Sequence, residues 1–163
     1  MNKIYLVIIF LVAGSSTLVA QSSDTTKRAQ NVYFELLGPG ILYSANYDTR
    51  FSKRQDGLGI RGGVSYTNID DLSIFSLPVQ LNYLLGKNGR YFEMGFGATY
   101  ATGGGDIFGE DNGNESTVFG TMTFGYRRQP VEGGFMFRAG VSPIITQGSF
   151  IPYWPYLSFG YSF

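Results

Sequence analysis

The chain has 163 residues, of which 44% are hydrophobic, 17% aromatic and only 15% charged, and it contains neither histidine nor cysteine. Lack of cysteine excludes disulfide scaffolds, thiol enzymes and cysteine-anchored lipoproteins, and lack of histidine removes imidazole as a base or ligand. Twelve basic residues balance twelve acidic ones, which leaves no electrostatic footprint for nucleic acid.

In chain order, Met1–Lys3 give a short cationic start, Ile4–Ala13 an apolar run, and Gly14–Ala20 a small, polar stretch. This order predicts a secretory signal peptide over 1–20 with cleavage after Ala20, because the apolar run is half the ~20 residues a membrane-spanning helix needs. Residues 21–30 are expected as a short periplasmic segment, and 31–163 as one domain.

From Asn31 onward apolar residues recur at every second position, the period of a strand. In 76–85, Leu77, Val79, Leu81, Tyr83 and Leu85 share one face; in 91–102, Phe92, Met94, Phe96, Ala98 and Tyr100 do so. The alternation predicts eight strands, over 31–37, 41–51, 58–67, 76–85, 91–102, 117–127, 134–143 and 153–163. Turn signals separate them, notably Gly38-Pro39-Gly40, Asp56-Gly57, Lys87-Asn88-Gly89 and Gln129-Pro130. No run carries a helical stripe. The fold class is all-β, an antiparallel up-and-down meander closing into a barrel.

Three features set the apolar faces outward, toward lipid. The polar faces are Gly, Ser, Thr, Asn and Gln rather than the Lys and Glu of a water-facing wall. The turns at 52–57, 86–90 and 128–133 are short and carry Lys53, Arg54, Lys87, Arg90 and Arg128. The opposite connections, at 38–40, 68–75, 103–116 and 146–152, include the longest one and carry only acids among their charges: Asp70, Asp71, Asp106, Glu110, Asp111 and Glu115. Outward aromatics gather near strand ends, as interfacial girdles do. The expectation is an eight-stranded transmembrane β-barrel in the cell outer membrane, with short turns in the periplasm and acidic loops outside.

The last strand, Tyr153-Trp-Pro-Tyr-Leu-Ser-Phe-Gly-Tyr-Ser-Phe163, aligns Leu157, Phe159, Tyr161 and Phe163 on one face. It resembles the C-terminal assembly signal of outer-membrane barrels, centred here on Tyr161 and Phe163, which implies the barrel-assembly machinery as a partner during biogenesis. Together with the signal peptide and eight strands, the chain resembles the small OmpA-like and OmpX-like barrels of Gram-negative bacteria. That resemblance implies outer-membrane lipid and lipopolysaccharide as its surroundings.

With the apolar faces outward, the lumen receives Glu35, Asp48, Arg50, Arg61, Gln80, Asn82, Glu93, Arg127 and Arg138, alongside smaller polar residues such as Ser44, Asn46, Ser65, Thr121, Thr123 and Ser158. Eight strands leave room for side chains but no wide channel, and enclosed charges must pair. The expectation is an internal salt-bridge and hydrogen-bond plug, with a narrow ion or small-solute pore as the alternative. Gly57-Leu-Gly-Ile-Arg-Gly62 matches a dinucleotide fingerprint, but it runs into a strand rather than opening a helix. The acidic loop offers hard oxygen donors without the order of a calcium loop. No catalytic residue, cofactor or metal site is expected, and a lipid-modifying enzyme is the least favoured reading, because histidine-activated acyl transfer has no base here. Function is expected to reside in the outer loops, with Asp106, Glu110, Asp111 and Glu115 as candidates for contact with an extracellular partner.

Overall fold

The computed structural model describes residues 28–69, 72–104 and 115–163. The signal peptide and most of the 21–30 segment lie outside the described residues. The strands are β1 (Gln30–Leu37), β2 (Tyr43–Arg50), β3 (Gly57–Ile69), β4 (Leu72–Lys87), β5 (Arg90–Gly104), β6 (Glu115–Arg128), β7 (Gly134–Val141), β8 (Ile144–Ile145), β9 (Phe150–Ile151) and β10 (Pro155–Ser162). Antiparallel ladders join β1 through β7 in sequence order, and β10 lies between β7 and β1. The short β8 continues β7 along β6, and β9 returns beside β8 on the way to β10. The result is a closed eight-stranded antiparallel barrel.

Closure is in register from Asn31 opposite Ser162 to Leu37 opposite Tyr156. Beyond that ladder, the Phe163 amide donates to the Gln30 carbonyl at 2.9 Å and the Gln30 amide returns a bond at 3.2 Å. Alternation then sorts each strand by face. In β1, Asn31, Tyr33 and Glu35 are buried inside, whereas Val32, Phe34 and Leu36 are exposed outside. The same rule exposes Leu77, Val79, Leu81, Tyr83 and Leu85 of β4 and buries Ser76, Gln80, Asn82 and Leu84. This barrel is therefore inverted relative to a soluble one: its wall is apolar outside and polar within.

Six expectations change. The segment 68–75, read as an outer loop, is largely ladder, since β3 reaches Ile69 and β4 begins at Leu72. Backbone pairing outlasts the apolar alternation there, and Asn68 Nδ2 donates to Ser73 Oγ across the pair at 2.9 Å. The strand expected to begin at residue 41 begins at Tyr43. Before it, Gly38–Gly40 forms one 3-10 turn that is buried rather than presented as an outer loop. Positive φ at Leu37 (58°), Gly38 (68°) and Ile41 (77°) swings it inward.

The strand expected over 134–143 breaks after Val141, because Pro143 has no amide to donate. The Pro143 carbonyl still accepts from the Met122 amide at 2.9 Å, so β8 stays aligned with β6. Finally, the predicted loop at 146–152 contains β9, leaving a turn in which the Thr146 amide donates to the Ser149 carbonyl at 2.9 Å. The strand expected from residue 153 accordingly begins at Pro155.

Candidate functional site in the barrel interior

The structure places Glu35, Asp48, Arg50, Arg61, Gln80, Asn82, Glu93, Arg127 and Arg138 inside the barrel, none more than 1% exposed. Six different strands deliver the charged members, each by the parity of its position. Their ion pairs join into one alternating chain: Arg61–Glu35–Arg138–Glu93–Arg127–Asp48–Arg50.

The contacts are those of planar forks meeting carboxylates. Arg61 donates through Nη1 and Nη2 to both oxygens of Glu35, each at 3.1 Å. Glu35 Oε2 also accepts from Arg138 Nη1 at 2.8 Å and from Ser158 Oγ at 2.9 Å. Arg138 grips Glu93 through Nε at 2.7 Å and Nη2 at 2.9 Å. Arg127 Nη2 reaches Asp48 at 2.7 Å, and its Nη1 lies 3.5 Å from Glu93. Arg50 Nη2 closes the chain on both Asp48 oxygens at 2.8 Å. Asn82 bridges Asp48 at 2.5 Å and Glu93 at 3.1 Å, and Gln80 exchanges bonds with Thr121 (2.8 Å) and Thr123 (2.9 Å).

Each carboxylate thus meets two arginines. That multiplicity offsets the several kcal/mol per ion, roughly, that dehydrating an isolated charge costs. Two glycines of the fingerprint-like run and its extension make space for this packing. A Cβ at Gly59 would sit 2.3 Å from Arg50 Cζ, and one at Gly63 would sit 2.2 Å from Asn46 Oδ1. The run itself lies in β3, where no helix follows to receive a pyrophosphate.

Several interior residues are not recognisable from composition. The rings of Tyr33 and Tyr156 lie 4.6 and 5.1 Å from the Arg138 guanidinium carbon, adding cation–π contact. At the short-turn end, Asn31 Nδ2 donates to Gln129 Oε1 at 3.2 Å, and Gln129 Nε2 donates to Gln55 Oε1 at 2.9 Å. Strand parity is the signal that would have found them, since Asn31 shares a face with Glu35 and Gln129 with Arg127.

The opposite end is filled differently. Ile41, Ile74, Ala101, Phe119 and Ile144 form a buried apolar cluster, with Leu42, Ile151 and Trp154 packed against it. The Gly38–Gly40 turn folds into this end and touches β1 through β6 and β10. Three side chains hold it by its carbonyls: Thr99 Oγ1 to Pro39 at 2.8 Å, Trp154 Nε1 to Gly38 at 3.1 Å, and Ser76 Oγ to Gly40 at 3.2 Å.

Among the loop candidates, Asp106, Glu110 and Asp111 lie outside the described residues. Glu115 opens β6, with its backbone opposite Gly103. Tyr161 and Phe163 stand on the outer face at the short-turn end, 48% and 56% exposed.

Apolar outside, charged inside, and closed by eight antiparallel staves, the chain has the architecture of the small barrels that its sequence resembles. No protein-family model and no curated protein sequence matches it. Among solved structures it is similar to the N-terminal β-barrel domain of Pseudomonas aeruginosa OprF, with a TM-score of 0.61. That match is 10% identical in sequence and covers 85% of this chain and 98% of that chain. At that identity the likeness is one of fold.

Proposed function

We propose that the protein is an integral outer-membrane barrel with a side-chain-plugged lumen, acting as a structural or surface-interaction protein through its acidic outer loops. The observation that carries this reading is the pairing of an apolar exterior with a charge-filled interior. Exposed Val79, Leu81, Phe96 and Val118 stand back to back with fully enclosed Gln80, Glu93 and Arg127. Only a hydrocarbon solvent rewards that arrangement, because water would solvate the charges better and the apolar wall worse. Outside the lumen, the charged residues belong to the strand ends and connections, as lipid exposure of the wall requires.

The plug reading is supported by the continuous ion-pair chain on one side and the inward turn with its apolar cluster on the other. With the lumen occupied, specificity falls to the loops at the far end, where Asp106, Glu110, Asp111 and Glu115 would meet an extracellular partner or bridge lipopolysaccharide phosphates through divalent ions. Tyr161 and Phe163, outward on the strand that seals the barrel, suit contact with the assembly machinery. Catalysis is not proposed, since the chain has no histidine to activate a nucleophile in the outer leaflet.

Planar-bilayer recording of the refolded protein tests the plug, and the expected result is no steady conductance. Reproducible single-channel steps would replace this reading with the narrow ion or small-solute pore. Replacing residues 103–116 by a short turn tests the loop: folding should persist and partner binding should disappear.

A further inference from the structure

The short-turn end carries an arrangement that the interior plug does not explain. Cross-strand register sets Lys87 of β4 opposite Arg90 of β5, and Arg90 opposite Arg128 of β6. All three side chains are exposed, and alternation points them away from the lumen, since Tyr91 and Arg127 beside them are buried. Like charges directly opposite one another on a sheet repel and destabilise the ladder. Among the described residues none of the three has a carboxylate within ion-pair distance. The nearby Asp56 is engaged by Arg54 instead, at 2.9 Å.

The spacing of these cations is fixed by the fold. Asn88 and Gly89 have φ of 57° and 75°, the two positive values of a type I′ turn. Lys87 and Arg90 are therefore the residues flanking a rigid two-residue hairpin. The Gly89 carbonyl accepts from the Gln129 amide at 2.9 Å, which ties Arg128 alongside. Three adjacent strands, each ~4.8 Å from the next, gather three positive charges within about 10 Å. On the same outer face, one rung toward the barrel centre, stand exposed Leu85, Phe92 and Tyr126, opposite one another in the same register. A cationic row bordered by an apolar and aromatic row has the polarity of a lipid headgroup above its acyl chains.

We propose that Lys87, Arg90 and Arg128 form a site for the phosphate of an anionic phospholipid in the leaflet at the short-turn end. The anion removes the mutual repulsion, the guanidiniums fork onto phosphate oxygens, and the acyl chains descend along Leu85, Phe92 and Tyr126. The proposal rests on the membrane-barrel reading and goes beyond it, because it assigns lipid selectivity to three residues that a plug does not need.

The test uses the processed chain refolded into nanodiscs of phosphatidylglycerol and phosphatidylcholine, with retained lipid quantified by native mass spectrometry after partial delipidation. Wild type should retain phosphatidylglycerol in preference, by about fivefold for each cation engaged. R90Q/R128Q should fall toward the bulk ratio. K53Q/R54Q, which removes as many charges from the same end, should keep the wild-type preference. Equal preference in wild type and R90Q/R128Q overturns the site, and an equal loss in K53Q/R54Q reduces it to a diffuse basic collar and overturns it too.

A phosphatidylglycerol probe with a photoactivatable headgroup gives a readout on wild type alone. Crosslinks should concentrate on the peptides around residues 87–90 and 128; crosslinks spread evenly around the rim overturn the proposal. Release of the lipid by excess inorganic phosphate would mark a free-phosphate site and overturn the lipid assignment. Failure to insert into nanodiscs at all would sink the membrane reading, whereas insertion without enrichment sinks this site only.

Discussion

The two ends of the barrel interior are lined with opposite chemistry. Toward the short turns, four arginines and three carboxylates form one bonded chain. Toward the long loops, the inward turn packs with a cluster made of apolar residues, Ile41, Ile74, Ala101, Phe119 and Ile144. The first half is demanding about partner identity, since deleting one member leaves each of its buried neighbours a counter-charge short. The second is demanding about volume, since deleting a side chain leaves a void but no unpaired ion.

The comparison can be broken most forcefully at Glu93, which accepts from both Arg138 and Arg127. Glu93→Ala should cost about 3–5 kcal/mol, read from the denaturant midpoint in detergent micelles, because Arg138 and Arg127 each lose one of their two carboxylates and four buried guanidiniums are left with two acids. A loss below about 1 kcal/mol would show that the chain is not a structural unit. Next in size, Ile144→Ala should cost about 2–4 kcal/mol through the cavity it opens. Its penalty should shrink when a volume-restoring Leu replaces Ala, a rescue that no apolar residue can give at Glu93.

A finer cut is Thr99→Val, which keeps the shape and removes the hydroxyl that holds the Pro39 carbonyl. It should cost about 1–2 kcal/mol and raise hydrogen exchange at the Ile41 amide, whose bond to the Gly38 carbonyl depends on the turn staying in place. Unchanged exchange would mean the turn is held by packing alone. Smallest of all, Lys53→Gln on the exposed rim should stay within about 0.5 kcal/mol of wild type by the same midpoint assay. A larger effect would place rim charge among the determinants of stability.

Parity explains why one half of the interior was legible from the amino acids and the other was not. Arg61 lies between Ile60 and Gly62, and Glu93 between Phe92 and Met94, so period two assigns each to the lumen before any contact is known. Phe119 and Ile74 obey the same parity as Thr121 and Ser76, yet as apolar residues near a strand end they resemble members of a lipid-facing girdle. The inward course of Gly38–Gly40 was hidden for a related reason: Gly-Pro-Gly announces a turn without saying on which side of the wall it folds. The pairings were also illegible. Nothing local couples Arg138 to Glu93, 45 positions away, rather than to another acid.

Those separations have a consequence for how the barrel assembles. The inter-strand bonds of the interior chain span 26, 34, 45, 79 and 103 residues, so none forms within a single hairpin of neighbouring strands except Glu93 with Arg127. The network is complete only when β1 has met both its partners and the wall is sealed. A strand misplaced by one residue would turn its arginine or carboxylate into hydrocarbon and leave a charged vacancy inside. The finished interior therefore favours one register of the eight staves, since any other forfeits buried ion pairs as well as the apolar exterior.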